Sequence, residues 1–587
     1  MISQTRQRRV ALLMGWALGA MLLALAGRLI YIYVVSSEPL TRYAYLQHHM
    51  RMPIQPTRGM ILDTKFRTLA GTSEVYSVFA DPKLVEDAGD AAARLAPILK
   101  VNPDEIFRKI NDKMDGDTER RFVWLARRLP PEVKQRLKEL DLAGIATVSE
   151  GKRQYPNGAL AAHVIGCVGN EQQGLEGLER SFEDRLCGKE GEAMVLTDSR
   201  RRPIWSDPAT YVPPVDGQNL VLTLDAVLQS VAEDAVHEAR EKYRAKSACA
   251  IAMDPQTGAI LAMANDPTYE PARYTEFPVD ARRNRSLTDT FPPGSAAKPF
   301  LVVAALDANV VHYGQVFYCE DGYWADAKLH DAGHHYGNLT LEQILIKSSN
   351  IGMAKVGIRL GNTKLYEALV RSGFGKATGL MLPGEADGRV IPLAKWTRLS
   401  TTRVPFGQEF TTTPLQLVTA FAGIANGGKM MKPKILRGVL DSRGKVVTDL
   451  SEPEPAGQIC DPKTARSIID KALLEVVDEG TGKIARIPGY KVFGKTGTAQ
   501  SVDPGGGISH SRYFGAFLGG VPADKPAIVC VVVVQEPDPK IGYYGGTVAA
   551  PAVKMILEEA LQYYGIPPTE PVDEKATARL VHSTVTD

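Results

Sequence analysis

The sequence predicts an N-terminal transmembrane helix, an α+β domain, and an α/β domain whose antiparallel sheet is covered by helices. Three observations carry that prediction. A long uncharged run opens the chain. Glycine and proline thicken close to residue 215, where the character of the sequence changes. Beyond that point strand-like segments stand at both ends of the stretch, with helical ones between. With 587 residues the chain exceeds what one hydrophobic core organises, so several parts are expected.

The anchor comes first. Arg6, Arg8 and Arg9 precede an uncharged stretch from Val10 to Gly27, and after Arg28 the apolar run continues to Val35. That length spans a hydrocarbon core of about 30 Å. Basic residues before the run predict the N-terminus inside and the bulk of the chain outside a cytoplasmic (inner) membrane. Ala24-Leu25-Ala26 has the small-x-small look of a cleavage site. The apolar run passes beyond it, which favours a retained single-pass anchor over a cleaved signal peptide.

Residues 36–215 alternate short β-like pieces such as Tyr76-Ser77-Val78-Phe79 with charged helical stretches, one of them opened by Pro131. From Asn219 the pattern is more regular. Leu220 to Leu224 reads as a strand, Asp225 to Lys242 as an amphipathic helix, and Cys249 to Met253 as a strand. The last of these turns at Asp254-Pro255-Gln256-Thr257-Gly258 into a hairpin partner, Ile260 to Ala264. Tyr513 to Leu518 and Ile528 to Val534 are late strands, and Ala549 to Tyr564 is a closing helix. The parts are thus a tail 1–9, an anchor 10–35, a first domain 36–215, a second domain 216–566, and a polar tail 567–587 expected to be disordered.

Composition narrows the function. A net charge of +2 gives no global attraction for nucleic acid. Six cysteines (Cys167, Cys187, Cys249, Cys319, Cys460, Cys530) form no C-x-x-C pair, so buried thiols are expected rather than a zinc site. His330, His334 and His335 cluster, but a loop of exposed histidines is the simpler reading than a metal site. Asp503-Pro504-Gly505-Gly506-Gly507 lacks the Lys-Ser/Thr of a phosphate loop. Neither a cofactor nor a metal is expected.

Three short elements carry chemistry. Ser295-Ala296-Ala297-Lys298 follows a Pro292-Pro293-Gly294 turn, and Ala296 to Ala308 is helix-forming. Residues i and i+3 share a helical face, which brings an amine towards a hydroxyl that cannot ionise unaided. Ser348-Ser349-Asn350 follows a helix-like Leu341 to Lys347. Lys495-Thr496-Gly497-Thr498 lies on a strand-like run, where Gly497 would let a substrate backbone approach closely. Singly these are weak: S-x-x-K arises about once or twice by chance in a chain this long. In this order within one domain, S-x-x-K, S-x-N and K-T-G form the signature of penicillin-binding proteins and class A β-lactamases.

The chain resembles class B penicillin-binding proteins, most closely the septal, FtsI-type peptidoglycan D,D-transpeptidases. The resemblance includes Arg58-Gly59-Met60-Ile61-Leu62-Asp63, Arg153-Gln154-Tyr155-Pro156, Ala161 to Gly166 and Gly174-Leu175-Glu176-Gly177-Leu178-Glu179. It continues through Leu382-Pro383-Gly384-Glu385, Phe406-Gly407-Gln408, Thr413 to Leu417 and Ile424 to Gly428. After Asp63 the family usually has Arg-Asn-Gly, whereas this chain has Thr64-Lys65-Phe66.

The resemblance implies a pedestal (dimerisation-like) domain over 36–215 and an α/β serine transpeptidase domain of the penicillin-binding/β-lactamase-like kind. It implies that Ser295 is acylated and that Lys298 takes its proton. Ser348 and Lys495 relay a proton to the leaving D-alanine, and Asn350 orients the substrate amide and Lys298. Thr496 and Thr498 bind the terminal carboxylate beside Gly497, and the backbone N–H groups of Ser295 and Thr498 form an oxyanion hole. Peptidoglycan stem peptides and β-lactams are the implied ligands. The implied partners are a polytopic, FtsW-type glycosyltransferase and other division proteins. Elongation with the same chemistry, a β-lactamase or β-lactam sensor, and a silent division scaffold are the alternatives. No glutamate stands in the E-x-x-L-N pattern that class A lactamases use for deacylation.

Overall fold

The computed structural model describes residues 4–34, 49–112, 114–115, 118–119, 122–197, 203–206, 210–331, 334–502 and 507–571. The start of the expected pedestal, the Asp503–Gly506 part of the glycine-rich loop and the tail from 572 lie outside them. Helix Gln4–Val34 has 31 residues, about 46 Å at 1.5 Å per residue. Its Arg6–Val34 portion has a mean hydropathy of 2.1. Among the described residues it is the one helix long and apolar enough to cross a membrane.

The chain divides into two compact units that are not contiguous in sequence. The first is residues 1–57, 74–152 and 188–216; the second is 58–73, 153–187 and 217–587. In the first, strand His49–Ile54 pairs antiparallel with Gly191–Thr197. The later residues of strand Thr68–Ala80 pair with Val123–Leu129. Helices Ala88–Leu99 and Pro103–Asn111 start on the side-chain caps Asp87 and Asn102, with Pro103 at the first helical position. Leu95, Leu99, Ile106, Ile110, Val78 and Leu125 form the shared core.

The second unit contains α1 (Ala226–Lys242), β1 (Ser247–Met253), β2 (Ile260–Asp266), α2 (Lys298–Asp307), α3 (Leu341–Lys347) and α4 (Asn350–Leu360). It continues with α5 (Pro414–Ala425), β3 (Phe493–Val502), β4 (Ile508–Val521), β5 (Ile528–Gln535) and α6 (Ala550–Tyr563). The five strands form one sheet in the order β2-β1-β5-β4-β3, antiparallel throughout. Both ends of the unit contribute, as expected, and β3 is an edge.

Side chains alternate across this sheet. Ala248, Ala250, Ala252, Val532 and Val534 meet α1 and α6 on one face. Cys249, Ile251, Met253, Val531 and Val533 belong to the core on the other face, which α5 covers and which α2 and α4 extend. The alanines on the first face leave room for two helices to lie close. Asp225 caps α1, its side chain accepting from the Val227 N–H.

Strand Asn219–Leu222 is not part of this sheet. It pairs parallel with Ile61–Leu62 and antiparallel with Leu436–Leu440, a non-local arrangement that no local pattern announces.

The motifs of the presumed pedestal that fall in the second unit converge on one buried carboxylate. Glu179, fully buried, receives Arg58 Nε at 2.7 Å and Arg153 Nε at 2.6 Å. Arg58 also reaches Glu183 at 2.7 Å, and Arg153 Nη1 donates to Gly59 O at 2.7 Å. The divergent Thr64-Lys65-Phe66 turn is held because Asp63 Oδ1 accepts from both Lys65 N and Arg67 N. This leaves exposed Phe66 at φ 63°. The six cysteines are free thiols, all buried except the partly exposed Cys187.

Candidate active site

The Ser295 turn is shaped by its neighbours before any chemistry is considered. Gly294 sits at φ 55°, and a Cβ there would lie 2.5 Å from Thr498 O. Gly294 N donates to Gly407 O at 3.1 Å, and a Cβ on Gly407 would lie 2.0 Å from Gly294 O. Glycine is required at both positions by close backbone approach. Gly294–Ala297 is a 3-10 turn that runs into α2 at Lys298. Ser295 is half-buried at its rim.

The three motifs meet at Ser348. Lys298 Nζ donates to Ser348 O at 2.5 Å, to Ser348 Oγ at 3.2 Å and to Asn350 Oδ1 at 3.0 Å. Lys495 Nζ donates to the same Ser348 Oγ at 3.0 Å, and to Thr496 O and Oγ1 at 3.2 and 3.3 Å. One hydroxyl therefore bridges two amines from distant parts of the chain. Ser295 is not among the hydrogen-bond partners of Lys298. A neutral Lys298 donating to Ser348 O and Asn350 Oδ1 would keep one lone pair for a serine hydroxyl.

Burial sets the charge state of both amines. Lys298 and Lys495 are each 0% exposed. Burial pushes Lys298 well below the usual lysine range, and the neighbouring Lys495 charge pushes it further. Burial alone takes Lys495 down to about 7. Two lysines that hold their protons less tightly than solvated ones are better proton acceptors.

The K-T-G-T strand lies on the edge β3. Thr496 Oγ1 hydrogen-bonds Thr481 Oγ1 at 2.7 Å, and Thr498 Oγ1 accepts from Gly545 N at 3.1 Å. Gly497 also has a reason within the protein itself. A Cβ there would lie 2.9 Å from Ala296 Cβ and 2.9 Å from Pro293 O. The missing side chain makes room for the protein's own Ser295 turn.

Sequence reasoning passed over Thr481 and Gly545, and quoted Gly407 only within the Phe406-Gly407-Gln408 segment without giving it a place at the site. Only the paired glycines Gly545-Gly546 offered a local signal. The histidines are engaged elsewhere: His330 stacks on Tyr323 with centroids 4.5 Å apart, and His334 stacks on Tyr336 at 5.2 Å. His335 Nδ1 lies 3.0 Å from Asp321 O.

Comparison with known proteins places this geometry. Residues 248–558 match the penicillin-binding protein transpeptidase domain, and residues 53–222 match the penicillin-binding protein dimerisation domain. The peptidoglycan D,D-transpeptidase FtsI of Escherichia coli is 34% identical over 563 residues, covering 94% of this chain and 91% of the relative. Stage V sporulation protein D of Bacillus subtilis is 32% identical over 553 residues, covering 93% and 84%. Among solved structures, penicillin-binding protein 3 of Mycobacterium tuberculosis complexed with aztreonam has a TM-score of 0.69 at 26% identity, covering 89% of this chain and 99% of that one. With its domain order, its edge strand and its two lysines around one serine, the chain belongs to the penicillin-binding protein transpeptidase family.

Proposed function

We propose that the chain is a serine-type peptidoglycan D,D-transpeptidase that cross-links stem peptides at the septum and is acylated by β-lactams. The observation that carries this reading is the Ser348 hydroxyl shared by two buried lysines. Such a site can take a proton from a nucleophile and deliver it to a leaving amine without bulk water.

The steps balance as follows. Lys298 accepts the Ser295 proton as Oγ attacks the carbonyl carbon of the penultimate D-alanine. The Oγ–C bond forms, and the backbone N–H groups of Ser295 and Thr498 hold the negative oxygen. The C–N bond to the terminal D-alanine then breaks, and its nitrogen receives a proton through Ser348 and Lys495. Asn350 orients the donor amide and Lys298, while Thr496 and Thr498, beside Gly497, receive the terminal carboxylate. The amine of a second stem peptide then attacks the ester carbonyl. It forms the new amide, expels Ser295 Oγ and returns a proton to it.

Asp331, a carboxylate beside this set, spends both oxygens on the N-terminus of α4. It is therefore not arranged to activate a water against the ester, which supports transpeptidation over β-lactam hydrolysis. The N-terminal helix supports a single-pass membrane protein with its N-terminus inside and its catalytic domain outside the cytoplasmic membrane. The chain's two matched domains are those for cross-linking and dimerisation, so glycan polymerisation would come from a separate polytopic, FtsW-type enzyme. Elongation would use the same chemistry.

The test is intact-mass analysis after exposure to penicillin, together with imaging of a fluorescent penicillin in cells. The expected result is one adduct, absent in Ser295→Ala, persisting after free drug is removed, with label at midcell. An adduct on Ser295→Ala refutes the nucleophile. Rapid return to the unmodified mass with drug turnover makes the protein a lactamase. Lateral-wall label makes it an elongation enzyme.

A further inference from the structure

Ser348 has a backbone that needs explaining. It lies at φ 62° and ψ 36°, the left-handed region, as the C-cap of α3. That conformation is strained for a residue with a Cβ, which keeps it only where surrounding structure over-determines it. The α3 side supplies part of the constraint, because the Ser348 N–H donates to Ile344 O. The other side is the N-terminus of α4, whose first N–H groups need acceptors from outside the helix.

Those acceptors come from one carboxylate. Asp331 is 2% exposed. Its Oδ1 accepts from Asn350 N at 2.6 Å and from Ile351 N at 3.0 Å, and its Oδ2 accepts from Ser349 Oγ at 2.7 Å. Ser349 Oγ in turn accepts from Gly352 N at 2.9 Å. Asp331 is itself pinned, its N–H donating to Gly322 O at 3.1 Å and its carbonyl accepting from His334 N at 2.8 Å. The residue before it, His330, accepts from Asn350 Nδ2 through its carbonyl at 3.1 Å. A loop eighteen positions upstream of Ser349 therefore holds Ser349 and Asn350 directly, and Ser348 through its peptide bond to Ser349.

We infer that Asp331 is a positioning residue of the transpeptidase site: by holding Ser349 and the backbone of Asn350 it keeps the strained Ser348 and the Asn350 side chain against Lys298. The inference rests on the function proposed above. The titratable and charged groups that act on Lys298 are Lys495, Asp331 and Cys319. Cys319 is held neutral, its thiol pushed up by burial. Asp331 is thus the one carboxylate in the set, and it opposes the effects of burial and of Lys495 on Lys298.

The two parts of the role separate experimentally in the full-length protein in detergent, reading the second-order rate of acylation by a fluorescent penicillin as a function of pH. Asp331→Ala removes the acceptor and the charge. A misplacement of about 1 Å at a catalytic group costs about 10²-fold in rate, and that is the loss expected. Asp331→Asn keeps the shape and removes the charge, so the acid limb of the rate profile moves to lower pH, because Lys298 then loses its proton more readily. A purely structural cap would slow acylation equally at every pH. Ser349→Ala keeps the Asp331 charge while cutting its side-chain bond to the motif and leaving the Asn350 N–H bond in place, and is expected to slow acylation without moving the limb. The inference falls if the Asp331→Asn limb stays in place, or if Ser349→Ala reacts at the wild-type rate. A wild-type protein that takes no penicillin overturns the proposed function instead.

Discussion

Lys495→Met should abolish acylation and make the protein more stable. In the folded chain Lys495 is pushed from its ordinary 10.5 down to about 7 by burial. At neutral pH the unfolded chain therefore holds a proton that the folded chain holds only half the time. At about 1.4 kcal/mol per tenfold, that difference costs the fold about 4 kcal/mol at pH near 7. Methionine has similar length and no charge to desolvate. It forfeits the Lys495 hydrogen bonds, but Ser348 Oγ keeps Lys298 and Thr496 Oγ1 keeps Thr481. The acceptor left short is Thr496 O, at about 1 to 3 kcal/mol for a buried group. The net expectation is a gain of about 2 kcal/mol, or roughly 2 °C for a unit of this size.

The sign of the pH dependence follows from the same displacement. Because the folded value is lowered, the unfolded wild type binds more protons between about 7 and 10.5, so wild-type stability rises with pH across that window. The advantage of Lys495→Met should be full near neutrality and below, and shrink towards high pH. Scanning calorimetry of both full-length proteins at either end of the window measures it. A variant that melts below wild type near neutrality, or a gap that does not narrow as pH rises, refutes the reasoning.

Three further outcomes are expected. Lys298→Ala should slow penicillin acylation by about 10² to 10⁴-fold, the usual contribution of a general base, with melting no lower than wild type; near-normal acylation would assign the base elsewhere. Gly545→Ala would place a Cβ 2.1 Å from Ala516 O and 2.3 Å from Gly497 O. Backbone cannot give way there cheaply, so both acylation and melting temperature should fall, and an unchanged rate would show that the edge of β3 tolerates displacement. Arg153→Ala leaves Glu179 with a buried charge half-compensated by Arg58. Urea unfolding should register a loss of about 3 to 5 kcal/mol, and a loss under about 1 kcal/mol would mean the network relaxes or admits water.

Much of the second unit was legible because its signals are local. Apolar runs bounded by turn residues gave β1, β2, β4 and β5, and the amphipathic stretch after Asp225 gave α1; the bounds agree within two residues except for β4, which begins five residues earlier and ends three later than read. The K-T-G-T strand and the α3 helix before Ser348 read in the same way. What escaped was non-local. Strand Asn219–Leu222 reads as a strand, yet its partners lie at Ile61–Leu62 and Leu436–Leu440, and nothing within ten residues of it says so. Arg58, Arg153 and Glu179 looked like scattered conserved-type fragments until folding gathered them around one carboxylate.

The site divides along the same line, and the division has a physical cause. The residues proposed to exchange protons, Ser295, Lys298, Ser348 and Lys495, fall within three short motifs and are therefore visible in the sequence. Residues that hold them in place need only an oxygen or a gap at the right point in space, which almost any loop can supply. The Asp331 carboxylate, the Thr481 hydroxyl, the Gly545 N–H and the absent side chain of Gly407 are of that second kind. Their effect is nonetheless chemical. Two buried amines around one serine are costly, and a serine in the left-handed region adds to the cost, so the arrangement exists only where surrounding structure forbids relaxation. The motif therefore specifies the reaction, while the unmarked loops determine whether its amines sit where burial can strip their protons.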